Sequence, residues 1–269
     1  MPSVADLPSA ELERILEQLL DQWEKNDQAF SGRKGVSTPQ AVGVIALAAH
    51  THRLARGVLK LREAAMHLES LPLTREAFQF ALTAQWIAQY APAVSGFINE
   101  SSRQHNATIK TINETGWKAA ADNEDARQLD TPTREKSFVD QSARNFSQLC
   151  EDLNPGGTEA YAIYRIMSSY THPGYRVVDQ YLQAEPLAAY TYPTNFDEDD
   201  SRPWLYATCT SVVWAARAVD MLDQNHPNRA ALRKIADTLG IRPELQLSET
   251  FKQREQADRK EKWKGPQKS

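Results

Sequence analysis

The chain has 269 residues, of which 41% are hydrophobic and 25% are charged, with a net charge of −4 and a pI of about 5.9. This acidic balance excludes a general nucleic-acid coat protein, so any contact with a polyanion must be local. Two cysteines without metal-ligand spacing exclude a disulfide framework and favour a reducing cytoplasm. The N-terminus lacks a signal-peptide pattern, and the longest uncharged apolar-rich run, residues 203–216, is too short to cross a bilayer. We therefore expect a cytoplasmic protein with no membrane partner.

The sequence of the first half of the chain predicts helices that are separated by prolines. A helix is predicted from Ser9, because leucine, isoleucine and tryptophan recur at helical spacing between Leu12 and Trp23. Thr38-Pro39 then predicts the start of a long helix that continues to about Ser70. After the break at Leu71-Pro72, a buried stripe recurs every fourth residue, and Pro92 is predicted to kink or end the helix near residues 89–91. The stripe consists of Phe78, Leu82, Trp86 and Tyr90.

The second half contains more turn signals. Residues 121–132 predict an exposed connection, and Thr131-Pro132 predicts another helix that ends before the punctuating run Asn154 to Gly157. Residues 197–200 form an acidic cluster that is typical of a solvated turn, and a largely apolar helix follows from Ser201. Period-two alternation is not sustained anywhere in the sequence. The predicted fold is all-α, a single helical bundle of about seven or eight helices with a flexible C-terminal tail.

This reading divides the chain into three parts. Residues 1–36 are an N-terminal helix and linker, residues 37–245 form the helical bundle domain, and residues 246–269 are a polar, disordered tail.

The stretch from Tyr161 to Arg176 carries the main functional hypothesis. It predicts a helix that stops at Pro173-Gly174, with Arg165 and His172 near its end. Seven steps of about 100° return almost to the starting angle, so the two side chains are predicted on one face, about 10 Å apart along the axis. An arginine and an imidazole placed in this way can converge on one phosphate.

A second pair, Arg62 and His67, has similar spacing, so spacing alone does not identify a site. Five helical steps place these two residues about 140° apart, and we interpret them as surface residues. Only the neighbours of Arg165 include a run of hydroxyl groups that can orient an imidazole or contact phosphate, at Ser168, Ser169, Tyr170 and Thr171.

With an arginine, six residues and then a histidine late in a helix, the chain resembles the HEPN superfamily (higher eukaryotes and prokaryotes nucleotide-binding) over about residues 40–225. It is also similar to an uncharacterised bacterial family of helical proteins with a related pattern. The resemblance implies a metal-independent endoribonuclease in a toxin–antitoxin or phage-defence system, whose site forms across a homodimer. Arg165 would stabilise the phosphorane, and His172 would act as general acid or base. The residue after the arginine is usually polar in active nucleases of this kind, and here it is Ile166.

On this reading, Ser168, Ser169 and Arg176 are the predicted substrate contacts, RNA is the expected substrate, and an antitoxin or defence-operon protein is an expected partner. The alternative for Arg165 and His172 is structural: a histidine that interacts with the helix dipole and an arginine that pairs with a neighbouring carboxylate. The corresponding alternative function is a non-catalytic protein-interaction module with an exposed apolar patch around Tyr190 to Phe196. Neither cofactor motifs nor metal-ligand spacings occur, so no cofactor and no metal are expected.

Overall fold

The order of the helices was established from a computed structural model that describes residues 7–25, 30–116, 137–154, 157–182 and 195–263. Helices account for 77% of these residues and strands for 3%, which confirms the all-α class. The described part contains eleven α-helices and one short 3-10 turn at Leu68–Ser70. The helices are α1 (Ser9–Glu24), α2 (Thr38–Glu63), α3 (Leu71–Gln89), α4 (Ala93–Thr115), α5 (Phe138–Arg144), α6 (Phe146–Glu151), α7 (Gly157–Ser169), α8 (Tyr175–Asp179), α9 (Glu198–Leu222), α10 (Arg229–Leu239) and α11 (Glu249–Trp263).

Two short strands complete the architecture. β1 (Leu153–Asn154) pairs antiparallel with β2 (Gln246–Leu247), with Leu153 opposite Leu247. This pairing brings the end of α6 next to the start of α11, although almost 100 residues separate them in the chain. Among the described residues, no helix combines the length and the apolar content needed to cross a membrane.

Local sequence signals explain most helix ends. The Ser37 side chain accepts a hydrogen bond from the backbone N–H of Gln40 (3.3 Å) and so caps α2. The glycines Gly116 and Gly240 end α4 and α10 in the left-handed conformation, with φ of 64° and 69°. The predicted end of α3 near Pro92 is confirmed, because the helix stops at Gln89.

The core forms where α2, α3 and α9 pack together, since these three helices make the most extensive contacts of the described fold. The predicted stripe on α3 lies at its centre, with Phe78, Leu82 and Trp86 buried. A second cluster joins α1 to α9 and α10. The leucines and the isoleucine of α1 supply one side of this cluster, as their spacing predicts.

The predicted number of seven or eight helices is wrong. The single helix expected after Thr131 is two helices, because Asn145 has an extended backbone (φ −119°, ψ 101°) and caps α6 through Ser147 N–H. The long helix from Thr38 stops at Glu63 rather than Ser70, since Ala65 adopts a φ of 55°. The predicted connection at 121–132 and the helix start at Thr131-Pro132 lie outside the described residues.

The predicted flexible tail from residue 246 also differs from the structure. Residues 246–247 form β2 and residues 249–263 form α11. One apolar residue, Phe251, is fully buried against the rings of Tyr90 (4.9 Å) and Phe138 (5.3 Å). The pattern contains too few apolar positions to predict this helix, because a single aromatic anchor gives no periodic signal.

Candidate functional site

Helix α7 positions the predicted site residues by burying one face. Ala160, Met167 and Ser168 are buried, and the helix packs against α3 and α6. Arg165 lies on the opposite side of the helix from Ala160 and Met167 and is exposed. The helix therefore presents Arg165 to solvent, because the buried residues Ala160 and Met167 on the opposite side face the bundle.

α7 ends at Ser169, four residues before Pro173, and this corrects the geometry predicted from the sequence. The backbone N–H groups of Tyr170 and Thr171 donate to the carbonyls three residues before them (3.0 and 3.1 Å). Hydroxyl groups also engage the last carbonyls: Ser169 Oγ donates to Ile166 O (2.7 Å) and Thr171 Oγ1 to Ser168 O (3.0 Å). His172 therefore lies in the bend after the helix, and the seven-step helical argument for one shared face does not apply.

Arg165 and His172 are both exposed. Neither side chain makes a hydrogen bond, an ion pair or a ring contact with any residue in the described part of the chain. Arg176 is exposed as well, and its guanidinium carbon lies 5.6 Å from the ring centroid of Tyr170, a cation–π contact. The three side chains thus share one surface segment of twelve residues, from the end of α7 to the start of α8.

Both serines predicted as substrate contacts already donate their hydroxyl groups to carbonyls of α7. Ser168 is buried, donates to the carbonyl of Tyr164 (2.8 Å) and accepts from Arg75 Nε (2.9 Å). Ser169 is half-buried and donates to Ile166 O. Ser168 is therefore not presented to a ligand in this structure, because it is buried and its hydroxyl is engaged by Arg75 of α3 and by the carbonyl of Tyr164.

Arg75, which sequence reasoning missed, organises the inner side of α7. Its guanidinium hydrogen-bonds to the Tyr164 hydroxyl and the Glu76 carboxylate, in addition to Ser168. Its guanidinium carbon also lies 4.6 Å from the centroid of the Tyr164 ring. This cluster fastens α7 to α3. No sequence signal could have found it, because the partners lie about 90 residues apart.

In the second arginine–histidine pair, Arg62 is not a surface residue as predicted, and His67 is half-buried. Arg62 is buried; its Nε donates to Glu13 Oε1 (2.9 Å) and its Nη1 to Ser201 Oγ. His67 Nδ1 lies 3.5 Å from the same Ser201 Oγ. Burial lowers the pKa of His67 and the charge of Arg62 lowers it further, while three nearby carboxylates oppose both effects.

This inner cluster joins α1, α2 and α9. Ser201 is 1% exposed and already donates to the carbonyl of Glu198 (2.8 Å), so its hydroxyl is not presented as a nucleophile. We interpret Arg62 and its partners as a structural linkage.

The remaining polar candidates are also structural. Asp197 and Asp200 form a reciprocal capping box at the start of α9, in which Asp197 Oδ1 accepts from Asp200 N–H (3.0 Å). In the described ranges, no three histidine, cysteine or acidic side chains are grouped so that they could hold a metal ion. Burial raises the pKa of Cys150 to about 12 and raises that of Cys209 as well, so neither thiol is a nucleophile near neutral pH.

Comparison with known proteins gives one match. A family model described as a family of unknown function, DUF5677, matches residues 41–187, which is more than half of the chain. No curated protein and no solved structure matches. The family match does not connect the chain to the HEPN superfamily, so that resemblance stays a prediction. The matched segment runs from α2 through α8 and includes Arg165, His172 and Arg176, and the chain therefore belongs to the DUF5677 family.

Proposed function

We propose that this protein is a metal-independent endoribonuclease in which Arg165 and His172 act on the same phosphodiester. The observation that supports the proposal is that both side chains are exposed and unengaged by the described residues. In the other pair of similar spacing, Arg62 is buried and His67 is half-buried. The pair at the end of α7 is therefore the one in which both members are open to a substrate.

The proposed reaction uses the RNA itself as the nucleophile. The 2′-oxygen forms a bond to the adjacent phosphorus, and the bond between phosphorus and the 5′-oxygen breaks. The proton of the 2′-hydroxyl leaves to a base, and the departing 5′-oxygen receives a proton. His172 supplies one of these two transfers, and Arg165 stabilises the extra negative charge on the phosphorane oxygens. The products are a 2′,3′-cyclic phosphate and a 5′-hydroxyl.

Arg176 extends the same surface with a second positive charge. Its contact with the Tyr170 ring leaves the guanidinium donors available, because a cation–π contact uses the face of the guanidinium and not its N–H groups. We therefore assign Arg176 to backbone binding, outside the reacting phosphate. Its replacement is expected to raise KM more than it lowers kcat.

The test is cleavage of a fluorescent RNA oligonucleotide by the full chain in excess EDTA. Cleavage is expected for the wild type. His172→Ala is expected to lower the rate by about 10²–10⁴-fold, the usual range for loss of a general acid or base. Arg165→Ala is expected to lower it by about 10²–10³-fold, the usual range for loss of one group that stabilises transition-state charge. Matched controls are Arg233→Ala and His50→Ala, which also remove exposed residues and should leave the rate unchanged. Equal activity of all four variants, or no activity of the wild type, would remove the proposal.

A second candidate function is a protein-interaction module, favoured by a concentration of exposed apolar residues. Five of the nine large hydrophobic side chains that are exposed in the described part lie on α7, on α8 or just after α8. They are Ile163, Ile166, Tyr175, Val178 and Leu182. The patch expected around Tyr190 to Phe196 is not the one observed, since Phe196 is buried and residues 190–194 lie outside the described residues.

The partner expected for this surface is a second copy of the chain or a protein of the same toxin or defence system. Sedimentation of the wild type and of Tyr175→Asp tests the homodimer directly. A dimer that dissociates in the variant supports self-association through α8. A wild-type monomer would instead leave only a different protein as the partner of this surface.

A further inference from the structure

A cavity of about 480 Å³ opens between α3, α7 and α9, away from the proposed catalytic residues. Its lining is almost entirely apolar and includes Phe78, Ala160, Ile163, Trp204, Ala207 and Trp214. This volume lies in the range of about 300–1,000 Å³ that is typical of small-molecule sites, and such sites are lined mainly by hydrophobic and aromatic side chains. Size and lining together therefore fit an apolar small molecule.

Hydrogen bonds to backbone carbonyls hold two walls of the cavity. Trp214 Nε1 donates to Arg242 O (2.9 Å), and the Tyr206 hydroxyl donates to Leu239 O (2.8 Å). The Trp214 ring also packs against Phe78, with centroids 6.1 Å apart. Because the indole N–H of Trp214 and the hydroxyl of Tyr206 are engaged by backbone carbonyls, the rings are fixed in place before any ligand arrives, which lowers the entropy lost on binding.

One charged residue, Glu159, is found among the residues that line the cavity. Its side chain is exposed and makes no ion pair with any residue in the ranges that the structure describes. A carboxylate beside an apolar cavity attracts a cation, and the attraction is stronger next to apolar walls than in bulk water. The complementary ligand is therefore an apolar body that carries a positive charge at one end.

We propose that this cavity binds a lipophilic amine, with the apolar part between Trp204, Trp214 and Ile163 and the ammonium group at Glu159. The site is separate from the proposed catalytic surface. Ile163 and Arg165 are two residues apart on α7, so their side chains diverge by about 200°. The test of amine binding and the test of RNA cleavage can therefore give independent results.

The test uses three probes of one shape on the full chain: 4-phenylbutylamine, 4-phenylbutanol and 4-phenylbutyrate. Binding is measured by calorimetry and by the fluorescence change of the tryptophans. The amine is expected to bind most tightly and the carboxylate least. Glu159→Gln is expected to weaken binding of the amine by about fivefold, towards the affinity of the alcohol. This is the effect expected for the loss of one exposed ion pair. Glu17→Gln removes another exposed carboxylate and should change nothing.

A second variant tests the cavity itself. Ala207→Phe fills the space between α7 and α9 and should abolish binding of all three probes; its far-UV circular dichroism must match that of the wild type. Should this variant destabilise the fold, Ile163→Trp serves instead, since Ile163 is already 38% exposed. Equal affinity for the amine and the alcohol, or an unchanged affinity in Glu159→Gln, would overturn the assignment of an amine. Failure of every probe to bind would overturn the site and leave the cavity as a surface for a partner protein.

Discussion

The carboxylate of Asp152 and the guanidinium of Arg254 form an ion pair that attaches the last helix, α11, to the start of β1. The Asp152 side chain is fully buried, whereas that of Arg254 is 21% exposed. Ser248 N–H donates to the carbonyl of Asp152 (2.8 Å), and the buried ring of Phe251 follows three residues later. One charge pair and one buried aromatic ring thus hold a helix whose sequence is mostly polar.

Replacing Arg254 by alanine is expected to lower the free energy of unfolding by about 3–5 kcal/mol. The reason is that the variant leaves the Asp152 carboxylate buried without a counter-charge. Urea denaturation followed by circular dichroism measures the change, and limited proteolysis shows whether α11 is released first.

The matched control is Arg259→Ala, on the same helix. Arg259 is 75% exposed and pairs with Glu255 one turn away (2.6 Å), so its replacement should change stability by no more than the error of the measurement. If Arg254→Ala were as stable as this control, the ion pair would not be what holds α11.

Substitutions in the two arginine–histidine pairs are expected to have different effects on stability. Arg62→Ala is expected to lower the free energy of unfolding by about 1–3 kcal/mol, because it leaves the buried Ser201 without its donor, whereas Glu13 is 38% exposed and can be solvated. Arg165→Ala should leave stability unchanged while it removes activity. Arg53→Ala on the same helix as Arg62 is the control, since Arg53 is exposed. An Arg165→Ala variant that unfolds would show that this arginine has a structural role.

Close packing at one glycine gives a third prediction. A Cβ on Gly96 would lie 2.7 Å from the carbonyl oxygen of Val139, so α4 and α5 could not keep their present approach. Alanine usually stabilises a helix interior by about 1 kcal/mol relative to glycine. At Gly96 we expect the opposite sign, with Gly96→Ala less stable than the wild type in thermal unfolding.

Gly57 on α2 is the control for this steric argument. A Cβ there would meet only the end of the Leu73 side chain (2.8 Å), which can rotate away. Gly57→Ala should therefore be clearly less harmful than Gly96→Ala. Equal losses in both variants would mean that the backbone of α5 adapts as readily as a side chain.

Helical periodicity predicted the parts of this fold that depend on local sequence. The apolar residues of the stripe on α3 and of the buried face of α1 recur at helical spacing, and each of them supports the same prediction of a helix. The burial of Arg62 could not be predicted in this way, because its partners Glu13 and Ser201 are 49 and 139 residues away. From sequence alone, a charged residue among polar neighbours is predicted to be exposed, because its ion-pair partners in the fold are unknown.

The candidate site shows that sequence patterns also miss features that depend on hydrogen bonds between residues close together in the chain. The exposure of Arg165 agrees with its place on the face of α7 opposite the buried residues Ala160 and Met167. The position of His172 depends on where the helix stops, and the hydroxyl groups of Ser169 and Thr171 end it earlier than Pro173 would. Side chains that compete for the last carbonyls move a helix end by several residues, and sequence patterns locate such ends poorly.

His52 gives the fold a sensitivity to acid. Its ring is stacked on Trp23 (4.0 Å), its Nδ1 lies 2.7 Å from the carbonyl of Ala48, and burial lowers its pKa to about 4. Because the pKa is lower in the folded state than the ordinary value of 6.5, the unfolded chain binds the proton more readily. The stabilising contribution is therefore complete above pH 6.5 and is lost as the pH falls towards 4.

His52 alone should lower the free energy of unfolding by about 2 kcal/mol between pH 7.5 and pH 5. His52→Phe keeps a ring against Trp23 and should lose that much less stability over this range, whereas the exposed control His50→Phe should follow the wild type. Urea denaturation at both pH values measures the difference, and parallel losses in all three proteins would mean that the ring of His52 is protonated equally well in the folded state.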